Sequence, residues 1–157
     1  MKKLTLIACL IVMIQATYAQ SPKAVLKSLT EGDIIRSTQK FEKISDKYRD
    51  KMPEMCHLAE AALLNMPKQV GTNKIHGYEI LATNIGAIRS STNIEKTFDG
   101  LDTTLDEVIA TIEKQSFDYV MTLDSERHFV IYINWATMAN HPNISELEQR
   151  LEELRYN

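Results

Sequence analysis

Four histidines, two cysteines and a run of glutamates are the groups in this chain that could carry chemistry. His57 is the histidine with ligand types nearby: Cys56 is adjacent and Glu60 lies three residues on. On a helix, adjacent side chains point about 100° apart, so Cys56 and His57 are badly placed to share a metal or to act as nucleophile and base. Cys56 therefore reads as a small buried side chain and His57 as a residue near the surface. His76, His128 and His141 are isolated in sequence, and a lone histidine is more often structural than catalytic. The expectation is no catalytic residue, no metal and no cofactor.

Motifs that would reverse this expectation do not occur. The chain contains no Gly-rich phosphate loop, no Gly-x-Ser-x-Gly elbow, no Asp-Thr-Gly and no His-Glu-x-x-His. Glu146, Glu148, Glu152 and Glu153 form a run that suits the solvated face of an amphipathic helix. Val130 to Thr137 resembles the strand leading into a thioredoxin active site, but Met138, Ala139, Asn140 and His141 follow it where that chemistry needs two cysteines. Asn143-Ile144-Ser145 fits a glycosylation sequon, though a helix-capping role already accounts for Asn143.

The elements that must position these groups read as helices. Ser21-Pro22 is a cap followed by a first-turn proline, Gly32 ends that helix and Asp33 caps the next, with Ile34, Phe41, Ile44 and Tyr48 on one stripe. Pro53 opens a helix striped by Met55, Leu58, Ala62, Leu63 and Met66, and Pro67 and Gly71 close it. Leu58, Leu63 and Phe41 are expected in the core, and residues 70–76 are expected to be a mobile connection. The stripe resumes from Lys74 through Tyr78, Leu81, Ile85 and Ile88, and capping boxes are expected at Thr92 with Glu95 and at Thr103 with Asp106. Phe129, Tyr132, Ile133 and Ala136 share a helical face, which favours helix over strand despite their β-branched and aromatic neighbours. Asn143 then caps a last helix striped by Ile144, Leu147, Leu151 and Leu154. The expected class is all-α, with stacked antiparallel helical hairpins.

At the N-terminus, Lys2 and Lys3 precede an apolar run from Leu4 to Ile14, and small residues follow at Ala16, Thr17 and Ala19. That order predicts a signal peptide over residues 1–19, cut between Ala19 and Gln20, and a single helical domain over 20–157. The run is too short for a stable membrane span, which needs about 20 residues. Leu6-Ile7-Ala8-Cys9 resembles a lipobox, but the apolar run continues past Cys9 instead of closing there. The formal charge of −3 becomes −5 once Lys2 and Lys3 are removed, which disfavours nucleic acid as a partner. Cleavage would also leave Cys56 as the single cysteine, so stability must come from a packed core without a disulfide. Such a product would be periplasmic or extracellular.

Glu31-Gly32-Asp33-Ile34 through Phe41 and Ile44 resembles a tetratricopeptide (TPR) helix pair, in which Gly-Asp leads into a helix carrying an aromatic and an aliphatic residue. Tyr132, Trp135, Pro142, Leu147, Leu151, Leu154 and Tyr156 are similarly placed to a helical-hairpin repeat of bacterial exported proteins. Departures include Ser37, where a TPR usually has alanine, and the lack of a 34-residue period. The resemblance implies a divergent TPR-like array that binds proteins. The expected function is an exported, non-catalytic module for a protein or peptide partner, or for self-association, with Trp135 and Tyr156 bordering the surface used. The alternative is the N-terminal helical module of a larger exported enzyme, a protease or thioredoxin-like protein. A small-ligand carrier, a third class, would need an internal cavity.

Overall fold

The structure, a computed structural model, describes residues 20–69, 72–91 and 103–156. The expected signal peptide with Ala19, the Thr92 capping box, and Val70 and Gly71 lie outside the described residues. Among those described there are eight helices and no strand: α1 (Pro22–Thr30), α2 (Ile34–Glu42), α3 (Asp46–Lys51), α4 (Pro53–Leu64), α5 (Asn73–Ser90), α6 (Leu105–Val120), α7 (Glu126–Met138) and α8 (Ile144–Tyr156). The protein is all-α. Helix lengths run from 6 to 18 residues with no repeated pair of constant size. None of these helices is long and apolar enough to cross a membrane.

Contacts between helix ends show how the hairpins run. Lys40 near the end of α2 donates to the Ala24 carbonyl and the Ser28 hydroxyl of α1, so these helices are antiparallel. Arg89 at the end of α5 reaches Asp106 at the start of α6, and Arg155 at the end of α8 pairs with Glu126 at the start of α7 at 2.9 Å. Helices α4 and α5 lie at the centre, with α1, α2 and α3 packed on α4, α7 packed on α5, and α6 touching α4, α5 and α7. Val25, Leu26, Leu58, Leu81, Ile112, Phe129, Tyr132 and Leu147 are among the buried side chains where these faces meet. Leu58 and Leu63 are core residues as expected, while Phe41 is only half-buried, beneath the Arg49 guanidinium at 5.3 Å. Ser37 is fully buried and returns its hydroxyl to the Asp33 carbonyl at 2.8 Å, so a small side chain fits that helix contact and its polar group is satisfied within its own turn.

Two turns share one geometry. After α1, Gly32 adopts φ +76°, and the N–H groups of Gly32 and Asp33 return to the Leu29 and Ser28 carbonyls. After α7, Asn140 adopts φ +54°, and the N–H groups of Asn140 and His141 return to Thr137 and Ala136. Both are Schellman closures, which satisfy the last carbonyls of a helix through one left-handed residue, usually Gly or Asn. Asp33 then caps α2, its carboxylate accepting from the Arg36 N–H at 2.9 Å.

Four local expectations need correction. The stripe from Ile34 to Tyr48 is not one helix: it breaks at residues 43–45, where Ile44 is buried and bridges to Gln20, drawn inward by its own burial. Asn73 to His76 are the first turn of α5, with the His76 N–H bonded to the Thr72 carbonyl, so that stretch is ordered helix and not a connection. Helix α4 ends at Leu64, before Pro67 is reached. The cap of α6 is Thr104 with Glu107, not Thr103 with Asp106: the Thr104 hydroxyl accepts from the Glu107 N–H and the Glu107 carboxylate accepts from the Thr104 N–H. The Thr104 N–H, followed by the Thr103 and Thr104 hydroxyls, holds the Glu107 carboxyl below its ordinary value. Thr104→Ala is expected to lower stability by about 1 kcal/mol, measured by urea unfolding. Thr103→Ala should cost less, because its hydroxyl meets only the exposed Glu107 carboxylate.

Candidate functional site

An apolar cleft of about 170 Å³ opens between α1, α4 and α6. Its walls are Leu26 and Leu29 from α1, Ala62 from α4, Met66 just beyond α4, and Val108 and Ile112 from α6. Leu26, Ala62 and Ile112 are buried core residues that form its floor, and the half-buried Leu29, Met66 and Val108 form its rim, so the cleft lies where three amphipathic faces stop meeting. Thr30, Thr103 and Thr111 stand at its polar positions, along with Asn65 and Gln115. Among the described residues no ionisable side chain lines it.

Asn65 and Gln115 belong to a buried polar knot that fixes this end of the cleft. Asn65 is 1% exposed; its amide donates to the Ala61 carbonyl at 2.9 Å and its side-chain carbonyl accepts from the Ser116 hydroxyl of α6. Lys74, in the first turn of α5, donates to the Asn65 main-chain carbonyl at 3.2 Å and to Gln115 at 3.4 Å. Partial burial pulls the Lys74 ammonium below its ordinary value, with Asp118 opposing. Three helices are thus tied through one asparagine, and a satisfied buried network of this kind rigidifies its surroundings. Gly77 lets α5 approach this knot, since a Cβ there would fall on the Asn65 amide, 2.9 Å from Leu64 Cβ and 3.1 Å from the Ala61 carbonyl.

A second cluster, of rings, lies where α5, α6 and α7 meet. Tyr78 and Tyr132 are fully buried with centroids 4.9 Å apart, and His141 stacks on Phe117 at 5.7 Å while meeting Tyr78 edge-on at 5.8 Å. The Tyr78 and Tyr132 hydroxyls and His141 Nε2 are buried without a hydrogen-bond partner. Burial above all pushes both phenols far above their ordinary value, with Glu113 adding at Tyr78 and with Tyr78, Glu113 and Asp118 adding at Tyr132, so they stay protonated. His141 is isolated in sequence, because its ring partners are dispersed along the chain at Tyr78, Phe117 and Tyr132. The local hint was His-Pro-Asn directly after a helix end.

The other expected positions are found as follows. Cys56 is buried, its thiol 3.9 Å from the Tyr48 carbonyl, and burial raises it above its ordinary value, which disfavours the thiolate a nucleophile requires. His57 is partly exposed with a buried, unpartnered Nδ1, His128 is likewise partly exposed, and His76 lies at the surface 3.1 Å from Glu79. No group of three or more His, Cys, Asp or Glu among the described residues could hold a metal ion. Trp135 is partly buried against the core near the end of α7, whereas Tyr156 is 86% exposed at the end of α8, beside the start of α7. Trp135 lies nine positions along α7 from that start, about 13 Å along the axis, so the two aromatics stand at opposite ends of the hairpin. Compared with protein families, curated proteins and solved structures, the chain matches none of them.

Proposed function

We propose that this chain is an exported, non-catalytic helical module that binds a protein or peptide segment by taking one large apolar side chain into the cleft between α1, α4 and α6. The observation that carries this reading is the match of size to chemistry. An apolar cavity of about 150 Å³ can hold a benzene ring, whereas drug-sized ligands occupy pockets of roughly 300–1,000 Å³. At about 170 Å³ the cleft suits a single Phe, Leu or Met side chain better than a small-molecule cargo. Gln115 at its polar end can offer an amide N–H to the main chain of such a segment, and uncharged walls favour an apolar occupant over a charged one.

Nuclear magnetic resonance titration with blocked tripeptides carrying Phe, Leu or Lys at the centre tests this. One buried side chain supplies roughly 1.5–3 kcal/mol, so millimolar or weaker affinity is expected for such short probes. The Phe and Leu peptides should shift the amides around Leu29, Met66, Val108 and Ile112, the Lys peptide should not, and Val108→Trp should abolish the effect by filling the cleft. Equal shifts from the Lys peptide, or shifts confined to another face, would refute the proposal.

A further inference from the structure

The turn joining α7 to α8 is fastened by its main chain and by a histidine. Asn140 closes α7 without help from α8. The link onward runs through the His141 ring, whose Nδ1 accepts the N–H of Asn143, the residue before α8 begins, at 3.1 Å. An accepting Nδ1 requires the neutral imidazole with its proton on Nε2. His141 is 5% exposed, and its ring packs against α5, α6 and α7.

We propose that His141 is an acid-released latch: neutral, it holds the start of α8 against the rings of α5, α6 and α7, and protonated, it lets α8 detach. Protonation adds an N–H at Nδ1 facing the Asn143 N–H, replacing a hydrogen bond with two opposed donors, and places a charge among three aromatic rings. The surroundings compensate poorly. Helix α5 presents the Tyr78 phenol and α7 the Tyr132 phenol, both kept protonated. Helix α6 presents Phe117 and the Glu113 main chain, which favours the charged ring, and also carries the Glu113 and Asp118 carboxyls. Burial raises the Glu113 carboxyl, with Arg89 opposing, so its negative charge fades as the medium acidifies. On the α8 side Glu146 is exposed, its carboxylate 3.3 Å from the Asn143 amide.

Burial holds the His141 imidazole below its ordinary 6.5, the Glu113 main chain opposing. The open form therefore binds the extra proton, and the stability of the latch is complete above pH 6.5 and lost as pH falls through the lower, latched value. Helix α8 packs chiefly on α7, through the buried Leu147 and the Arg155–Glu126 and Arg150–Asp124 pairs, so its release leaves the packing of α1 to α5 in place.

The test follows the full chain by nuclear magnetic resonance from about pH 7.5 to about pH 4.5, spanning the histidine range. It reads the His141 ring together with amide exchange corrected for its intrinsic pH dependence. The ring is expected to titrate below 6.5. The amides of Asn143 and α8 should lose protection with a one-proton dependence, up to about tenfold per pH unit, while those of α1 to α4 keep theirs. His141→Gln, uncharged throughout, should flatten this dependence; if that variant does not fold, the parent's ring titration and exchange map decide alone. A ring titrating at or above 6.5, or protection lost evenly across all helices, overturns the proposal.

Discussion

Phe129→Ala is expected to destabilise the protein by about 3–5 kcal/mol, since truncating a buried aromatic side chain combines its transfer free energy with the cavity left behind. Phe129 is fully buried in α7, in the same core as Tyr132 and Leu147. Against a typical total of about 5–15 kcal/mol, the loss would leave a marginal fold. At this chain length each kcal/mol moves the melting temperature by roughly 4 °C, so a fall of about 12–20 °C is expected. Chemical denaturation should show a lower midpoint at unchanged slope. Ile35→Ala supplies the contrast: Ile35 is 68% exposed on α2, and its truncation should change stability by no more than about 0.5 kcal/mol. Equal effects from the two variants would mean that the core has been misplaced.

Two glycines of α5 should respond to alanine with opposite signs. Alanine favours a helix over glycine by about 1 kcal/mol, and this gain applies equally at Gly77 and Gly86. At Gly86 a new Cβ meets nothing within 4 Å, so Gly86→Ala should stabilise by about 0.4–1 kcal/mol. At Gly77 it meets the Asn65 amide, Leu64 Cβ and the Ala61 carbonyl. The Asn65 side chain cannot swing aside cheaply, because its amide donates to the Ala61 carbonyl and its side-chain carbonyl accepts from Ser116. Either α4 moves away from α5 or the polar knot opens, at about 1–3 kcal/mol for overpacking and a similar amount for each buried group left unpaired. Net destabilisation of about 2 kcal/mol or more should therefore overcome the helix gain. Stabilisation by Gly77→Ala would show that the two helices do not touch there.

The helical class could be read from the chain because stripes at spacings of three and four recur between strong punctuation at Ser21-Pro22, Gly32-Asp33 and Pro53. Boundaries were harder where two signals compete. Thr103 and Thr104 each stand three residues before an acid, and the choice falls to the register that buries Ile109, Ile112, Ser116 and Val120. Ile44 fits the α2 stripe by spacing, yet its burial beside Gln20 is a contact between distant positions that periodicity cannot contain. The same limit hid the candidate site. The cleft is assembled from the margins of three separate helices, and Asn65, Ser116 and Lys74 meet only after folding, so no local pattern marks them. Cys56 was readable as a buried thiol because it adjoins a stripe of small and aliphatic residues on α4.

The paired Schellman turns at Gly32 and Asn140 bear on how quickly the chain finds its shape. Each is complete within about six residues and needs no distant partner to set the direction of the returning helix. The α1–α2 and α7–α8 hairpins can therefore form from sequence neighbours alone, leaving α4, α5 and α6 to join them. Chains dominated by such local contacts lose little loop entropy before native contacts begin to compensate, and they fold in microseconds to milliseconds. A short search limits the time during which apolar faces such as those of α4 stand open to neighbouring chains.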